Sequence, residues 1–418
     1  MAGLAAVVGL AALSAAAVGL HSMSRMVIVE PVQRVTPISD PTKLRRIAFE
    51  NLIYEGAFRL PANTVNGDSF ELGGRPLAFN PEHNSLFAGA RSLRVAEVSI
   101  PDPEKGSDVE SLPSATFLQP FADPTEGHMK EVGNDGITLS GLLVHNNRLI
   151  GTGVVYYDAT NAQTLSHFSR PLSLEERAVT GMSRVGQSGK TGYVAGYMAS
   201  VPPEWQSRLG GPVVTGQCCI SIISRTSHGP SAFAFDPAEL TPNRGTDAVP
   251  LLYYTGEHAT LGPWEGANDT YGATTEMGGV ALIGGTATAL FIGRNGTGDF
   301  CYGPGTGDRS KVDTRGADGE KYCFDPDNAD KGQHAYPYRY QIWAYGLNEL
   351  AEVRAGKRDP WSVKPYGVWP FDLPFPAPGV RIGGVAYDAA RQRVFIAQMQ
   401  ADRDGYAFRP LIHVFKVQ

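Results

Sequence analysis

The chain has 418 residues, of which only 19% are charged, with 49 Gly, 30 Pro and a formal net charge of −6. The acidic balance leaves nothing to favour a DNA or RNA partner, which asks for a basic surface excess. Many glycines and prolines with few charges suit short strands joined by tight turns, and long amphipathic helices are scarce.

In chain order, Leu4 to Leu20 is an Ala/Gly/Leu/Val run, and residues 1–25 read as a cleaved signal peptide or, alternatively, an uncleaved N-terminal anchor. The run has no preceding Lys or Arg, so a start at Met23 or Met26 is a third reading. Residues 26–50, with Pro31, Pro37 and Pro41, form an extended linker. The folded body spans 51–418 and opens on the alternating strand Leu52-Ile-Tyr-Glu-Gly-Ala-Phe-Arg-Leu-Pro61.

A phrase then recurs: small residues and Gly, an apolar strand, a polar turn and a returning strand. Gly73 to Asn80 precedes Ser85 to Gly89; Ser140 to His145 precedes Arg148 to Thr152; Met277 to Ile283 precedes Thr288 to Ile292; Arg381 to Asp388 precedes Arg393 to Gln398. Thr191 to Tyr197 and Gly229 to Asp236 are degenerate copies. Short helices are expected only at 174–178 and 348–355, and the chain closes on the alternating strand Pro410 to Val417. Hairpins that cannot bury their own faces, repeated around an axis, make a β-propeller. The expected fold is therefore all-β, a single propeller of five blades (six is the alternative count), at about 65–125, 130–188, 189–256, 270–370 and 375–418. The first and last strands share the fifth blade and close the ring, which removes a free edge.

Four cysteines occur without metal-ligand spacing. Cys301 and Cys323 flank a loop too hydrophilic to hold itself by packing, inside an insertion at about 294–338, and are expected to form a disulfide. Closing that loop would contribute roughly 3 kcal/mol on the chain-entropy model. Cys218-Cys219 reads as two buried thiols or, as the strained alternative, a bond between neighbours. Asp325, Asp327 and Asp330 cluster hard oxygens as a Ca²⁺ loop does, although Ala329 stands in a ligand place and no Glu closes the loop; a solvated turn is the alternative.

A propeller gathers on one face the connections into each innermost strand and those between second and third strands. Arg75, Asp135, Arg225, His228, Glu276 and Arg381 lie at the starts of phrases, and Tyr157 and Arg294 in the second set of connections. Arg75, Arg225, Arg294 and Arg381 are candidate ligands for an anionic glycan, and equally candidate ion pairs between blades. Glu276 is a candidate general acid, its pKa raised by partial desolvation, with Asp135 or Glu265 as partner. His228 or Tyr157 is the candidate base for β-elimination. Trp264 beside Glu265 and Asp269 reads as a sugar subsite, or as filling between blades.

Glu55-Gly-Ala-Phe-Arg-Leu-Pro61, Pro202-Pro-Glu-Trp205, Cys218-Cys219, His334-Ala-Tyr-Pro-Tyr338 and Pro410-Leu-Ile-His-Val-Phe-Lys416 resemble phrases of uncharacterised bacterial proteins predicted to be secreted. That resemblance spans most of the chain after residue 50 and implies a shared fold and export, secreted or periplasmic, with no activity to transfer. The architecture also resembles carbohydrate-active propellers, both glycosidases with carboxylates in the channel and polysaccharide lyases with His, Tyr and Arg. The expectation is a propeller that acts on or binds an acidic carbohydrate at its channel mouth, as lyase or hydrolase. The alternative is a non-catalytic glycan- or protein-binding scaffold.

Overall fold

The computed structural model describes residues 40–418 apart from 221–222, 257 and 317–318. The proposed leader, and the linker up to residue 39, lie outside the described residues.

Alternating apolar residues produce strands throughout. β1 (Leu52–Arg59) is followed by sheet I, comprising β2 (Leu77–Asn80), β3 (Ser85–Gly89), β4 (Val95–Ser99) and β5 (Phe117–Ala122). Sheet II holds β6 (Ile137–His145), β7 (Arg148–Val155), β8 (His167–Pro171) and β9 (Thr180–Val185). Sheet III holds β10 (Met198–Ser200), β11 (Val213–Thr215), β12 (Ala232–Phe235) and β14 (Val249–Leu252), while β13 (Gly245–Thr246) crosses to pair in parallel with β9. Sheet IV holds β15 (Glu276–Ile283), β16 (Thr288–Gly296), β20 (Tyr338–Gly346) and β21 (Gly367–Phe371). Between β16 and β20 an insertion forms its own sheet of β17 (Cys301–Thr306), β18 (Cys323–Phe324) and β19 (Lys331–His334). Sheet V joins β22 (Ile382–Asp388), β23 (Arg393–Asp404), β24 (Ala407–Val417) and β1, with Leu52 opposite Val417.

The first strands adjoin one another in a closed sequence: β2 lies beside β6, β6 beside β10, β10 beside β15, β15 beside β22, and β22 beside β2. Glycine in the repeated phrase makes this approach feasible. A Cβ on Gly383 would run into the Gly74 carbonyl, and one on Gly141 into the Gly196 carbonyl. Backbones meet there with no room for a side chain. Gly383→Ala is expected to cost about 1–3 kcal/mol by overpacking, read as a lower urea midpoint at unchanged slope.

The cores lie between neighbouring sheets. Trp205, Trp343, Tyr254 and Tyr345 are buried in the largest of them, between sheets III and IV. Trp205 comes from α1 (Pro203–Leu209), a helix not expected from the sequence. It starts with Pro at its first position, stops at left-handed Gly210 and donates the indole N–H to the Thr286 carbonyl at 2.9 Å. α2 (Leu347–Arg354) occupies the second expected helical segment. No helix forms at 174–178, because buried Arg170 draws the carbonyls of Ser173 and Glu176 to its guanidinium at 2.8 Å each. Among the described residues no helix is long and apolar enough to cross a membrane.

Cys301 and Cys323 are bonded and tie β17 to β18. Cys218 and Cys219 are also bonded, so of the two readings the bond between neighbours holds and the buried thiols do not. Cys219 adopts φ of 64°, in the left-handed region, and the turn is held by its N–H on the Ser227 carbonyl and by the Cys218 N–H on the Gln217 side chain.

Candidate functional site

Antiparallel order within each sheet sends the connections into each first strand, and those between second and third strands, to one face, called here the upper face. Four charged side chains meet on it. Glu276 opens β15 and stands directly opposite Arg294 of β16, so the ladder itself makes them a cross-strand pair. Arg381 immediately precedes β22, and Arg75 lies just ahead of β2; both strands follow β15 in the closed sequence. Arg294 Nη2 donates to Glu276 Oε1 at 2.6 Å and Arg75 Nη2 to Oε2 at 3.3 Å, while Arg381 Nε stands 3.7 Å from Oε2.

Burial pushes the Glu276 carboxyl up, but the charges of Arg294, Arg381 and Arg75 outweigh it and pull the pKa to about 2. The expected general acid is thus an ionised carboxylate, with no proton to give near neutral pH. Three guanidiniums around one carboxylate leave two positive charges in excess. The side chains of Arg75 and Arg381 are 47% and 39% exposed, whereas that of Arg294 is only 7% exposed. Nε of Arg294 and Nε of Arg381 are shut off from solvent and have no hydrogen-bond partner. Arg75 Nε instead points at the thioether of Met399, 3.1 Å away, a weak acceptor. The exposed parts of Arg75 and Arg381 therefore retain charge that a carboxylate, sulfate or phosphate ester could take. Glu276→Gln is expected to lower the melting temperature, and added sulfate should restore more stability to it than to the parent protein.

Other residues join the cluster through contacts that exist only in space. Met399 comes from the middle of β23. Tyr338, at the start of β20, lies under the Arg294 guanidinium at 4.3 Å, and Gly379 offers Arg294 its carbonyl. Tyr338 donates to Asp325 Oδ2 at 2.7 Å, and His334 Nδ1 stands 2.8 Å from the same oxygen.

The remaining candidates lie elsewhere on this face. Arg225 is used between loops: Nη2 donates to the Asp158 carbonyl at 3.2 Å. It precedes β12, the third strand of sheet III rather than its first, because β10 takes the inner place. His228 packs against Trp264 at 5.1 Å, and Trp264 against buried Tyr271 at 5.9 Å. Trp264 is thus partly engaged in packing, while Glu265 is exposed. Asp135 and Tyr157 are exposed on loops joined by the Tyr156 N–H on the Gly136 carbonyl. Asp325 is buried, with its carboxylate engaged by Tyr338, His334 and the N–H groups of Asp327 and Asn328, while Asp327 and Asp330 are exposed. Among the described residues no group of three His, Cys, Asp or Glu side chains is arranged to hold a metal ion. The exposed tyrosines Tyr156, Tyr157, Tyr302 and Tyr406 all fall on upper-face connections.

No family model and no curated protein matches the chain. Solved structures similar to it are propeller-like folds at very low identity. The GH43 endo-arabinanase from Bacillus licheniformis is 10% identical, with 83% of this chain and 95% of that one covered at a TM-score of 0.41. A member of the DUF4221 family from Bacteroides vulgatus is 9% identical over 86% and 82%, at 0.35. The WD40 repeats of RRP9 are 8% identical over 82% and 79%, at 0.29. Scores this low carry no argument about the activity of this chain.

Proposed function

We propose that residues 51–418 form a five-bladed β-propeller, closed by pairing of β1 with β24, whose channel mouth binds an acidic carbohydrate. The observation that carries this reading is the surplus of two positive charges where Arg75, Arg294 and Arg381 surround Glu276. Guanidinium groups pair with carboxylate and sulfate in a planar, two-donor geometry, and exposed Tyr156 and Tyr157 of the same face suit sugar rings. Two disulfides favour an oxidising compartment, and hence a body outside the cytoplasm.

Binding is favoured over hydrolysis. A hydrolase needs one carboxyl group protonated near neutral pH, and Glu276 is held ionised by its arginines. Elimination is the second reading, since the same arginines could neutralise a uronate carboxylate and stabilise an enolate, with Tyr157 or His228 on this face as base.

The test is retention of the protein on immobilised polyuronate, sulfated glycan and neutral glucan, with ultraviolet absorbance of unsaturated uronates and reducing ends followed in solution. Salt-sensitive retention on the acidic supports alone, with neither product, supports binding. Rising absorbance moves the reading to a lyase. Retention on the neutral support alone overturns it.

A further inference from the structure

The insertion contains a second concavity, separate from the arginine cluster. A cavity of about 580 Å³, within the range of small-molecule sites of roughly 300–1,000 Å³, is lined by Phe300, Tyr302, Tyr322, Phe324 and Tyr336. The Cys301–Cys323 disulfide forms part of its wall and fixes the two strands that carry Tyr302 and Phe324, with Phe300 and Tyr322 one residue before each strand. Phe324 is already committed, with Arg309 over its ring at 3.8 Å and the Tyr336 ring approaching edge-on at 5.5 Å. Tyr302 is 52% exposed, so its ring is left to the cavity and to solvent rather than packed away.

The polar lining lacks the positive surplus of the mouth. Asp299, Asp313 and Lys321 line the cavity, with Lys321 Nζ 2.6 Å from Asp313 Oδ1. With Arg309 over the Phe324 ring these charges balance, so nothing here draws an anion as the mouth does. Aromatic faces with hydrogen-bonding groups around them match a neutral pyranose, which has an apolar C–H face and a rim of hydroxyls. His334, in the cavity wall, meets Asp325, which accepts from Tyr338, which lies under Arg294. One contact chain thus joins this cavity to the arginine cluster.

From these observations we infer that the insertion cavity is a subsite for a neutral sugar ring, with Tyr302 as its stacking platform. Its ligand differs from that of the mouth, so it stands if the acidic-glycan reading falls. The test is saturation-transfer NMR of the full chain with the methyl glycosides of glucose, galactose, mannose and xylose. At least one should show transfer centred on its ring C–H protons. Tyr302→Ala should weaken that binding about tenfold and Tyr302→Trp should retain it, whereas Tyr406→Ala and Arg381→Ala should leave it unchanged. No transfer from any of the four sugars, or equal transfer in Tyr302→Ala, overturns the subsite. Loss of acidic-glycan retention in Arg381→Ala reports on the mouth alone and separates the two.

Discussion

Asp402→Asn is expected to lower the stability of the folded chain by about 3–5 kcal/mol, the cost of leaving buried charge without its partner. Asp402 lies on β23 with a side chain 1% exposed, and it accepts paired hydrogen bonds from two arginines. Arg59 on β1 donates at 3.0 and 3.1 Å, and Arg409 on β24 at 3.2 and 3.3 Å. The amide has the same shape but no charge, and its NH₂ group would face donors. Asp404 cannot replace it, because it stands 3.9 Å from Arg409 and is 76% exposed, where water screens the pair. Since Arg59 belongs to the N-terminal strand, the loss falls on the sheet that joins the two ends of the body. Urea unfolding followed by tryptophan fluorescence measures it. A change below about 1 kcal/mol would mean that the guanidiniums find other acceptors.

Acidification is expected to destabilise the fold well before carboxylates protonate. Burial holds His167 and His413 down at about 3, against an ordinary value of 6.5. His167 lies between Ser166 Oγ and Thr215 Oγ1, and His413 between the Tyr54 hydroxyl and Gln398 Oε1, with no carboxylate in hydrogen-bond contact to favour the charged ring. The unfolded chain binds these protons below about pH 6.5 and the folded chain does not, so stability is complete above that value and falls as pH drops towards 3. By about pH 4 each histidine removes roughly 3 kcal/mol. Glu276, lowered to about 2, acts in the same direction but only below its ordinary 4.5, so the histidines act without it above about pH 4.5 and the two effects overlap below that. Urea midpoints should fall steeply from about pH 6.5 downward, and His413→Gln should flatten the slope while costing some stability at neutral pH. A flat profile between about pH 6.5 and 4.5 would contradict neutral burial of both rings.

The repeating hairpins could be read from sequence because each is local. Alternation, a polar turn and a glycine lead mark β2–β3, β6–β7, β15–β16 and β22–β23. The glycines carry a longer-range meaning that the strand pattern does not express, namely close approach to the neighbouring sheet, as Gly383 makes to Gly74. Sheet III was harder because its first strand is only three residues, Met198–Ser200, too short to show alternation, so Gly229 to Asp236 took its place in the pattern. Arg75, Glu276, Arg294 and Arg381 could be listed as candidates, but not the charge balance of their meeting. That balance depends on which sheets are neighbours, and it turns an expected acid into a counter-ion. The local sequence marks Tyr338 as one of a run of aromatics, but its relation to the arginines, like that of Met399, exists only in space. The pairing of Cys218 with Cys219 depends on a left-handed residue that composition does not reveal.

The most direct test of the central claim is the affinity of an oligouronate for the parent protein and for Arg75→Ala/Arg381→Ala, measured calorimetrically at low and at physiological salt. Both arginines are about half exposed, so the double variant should fold normally. The account predicts at least a tenfold loss of affinity and a much weaker dependence on salt in the double variant. Equal affinity and equal salt dependence in the two proteins would contradict it and leave the cluster as a structural tie between sheets.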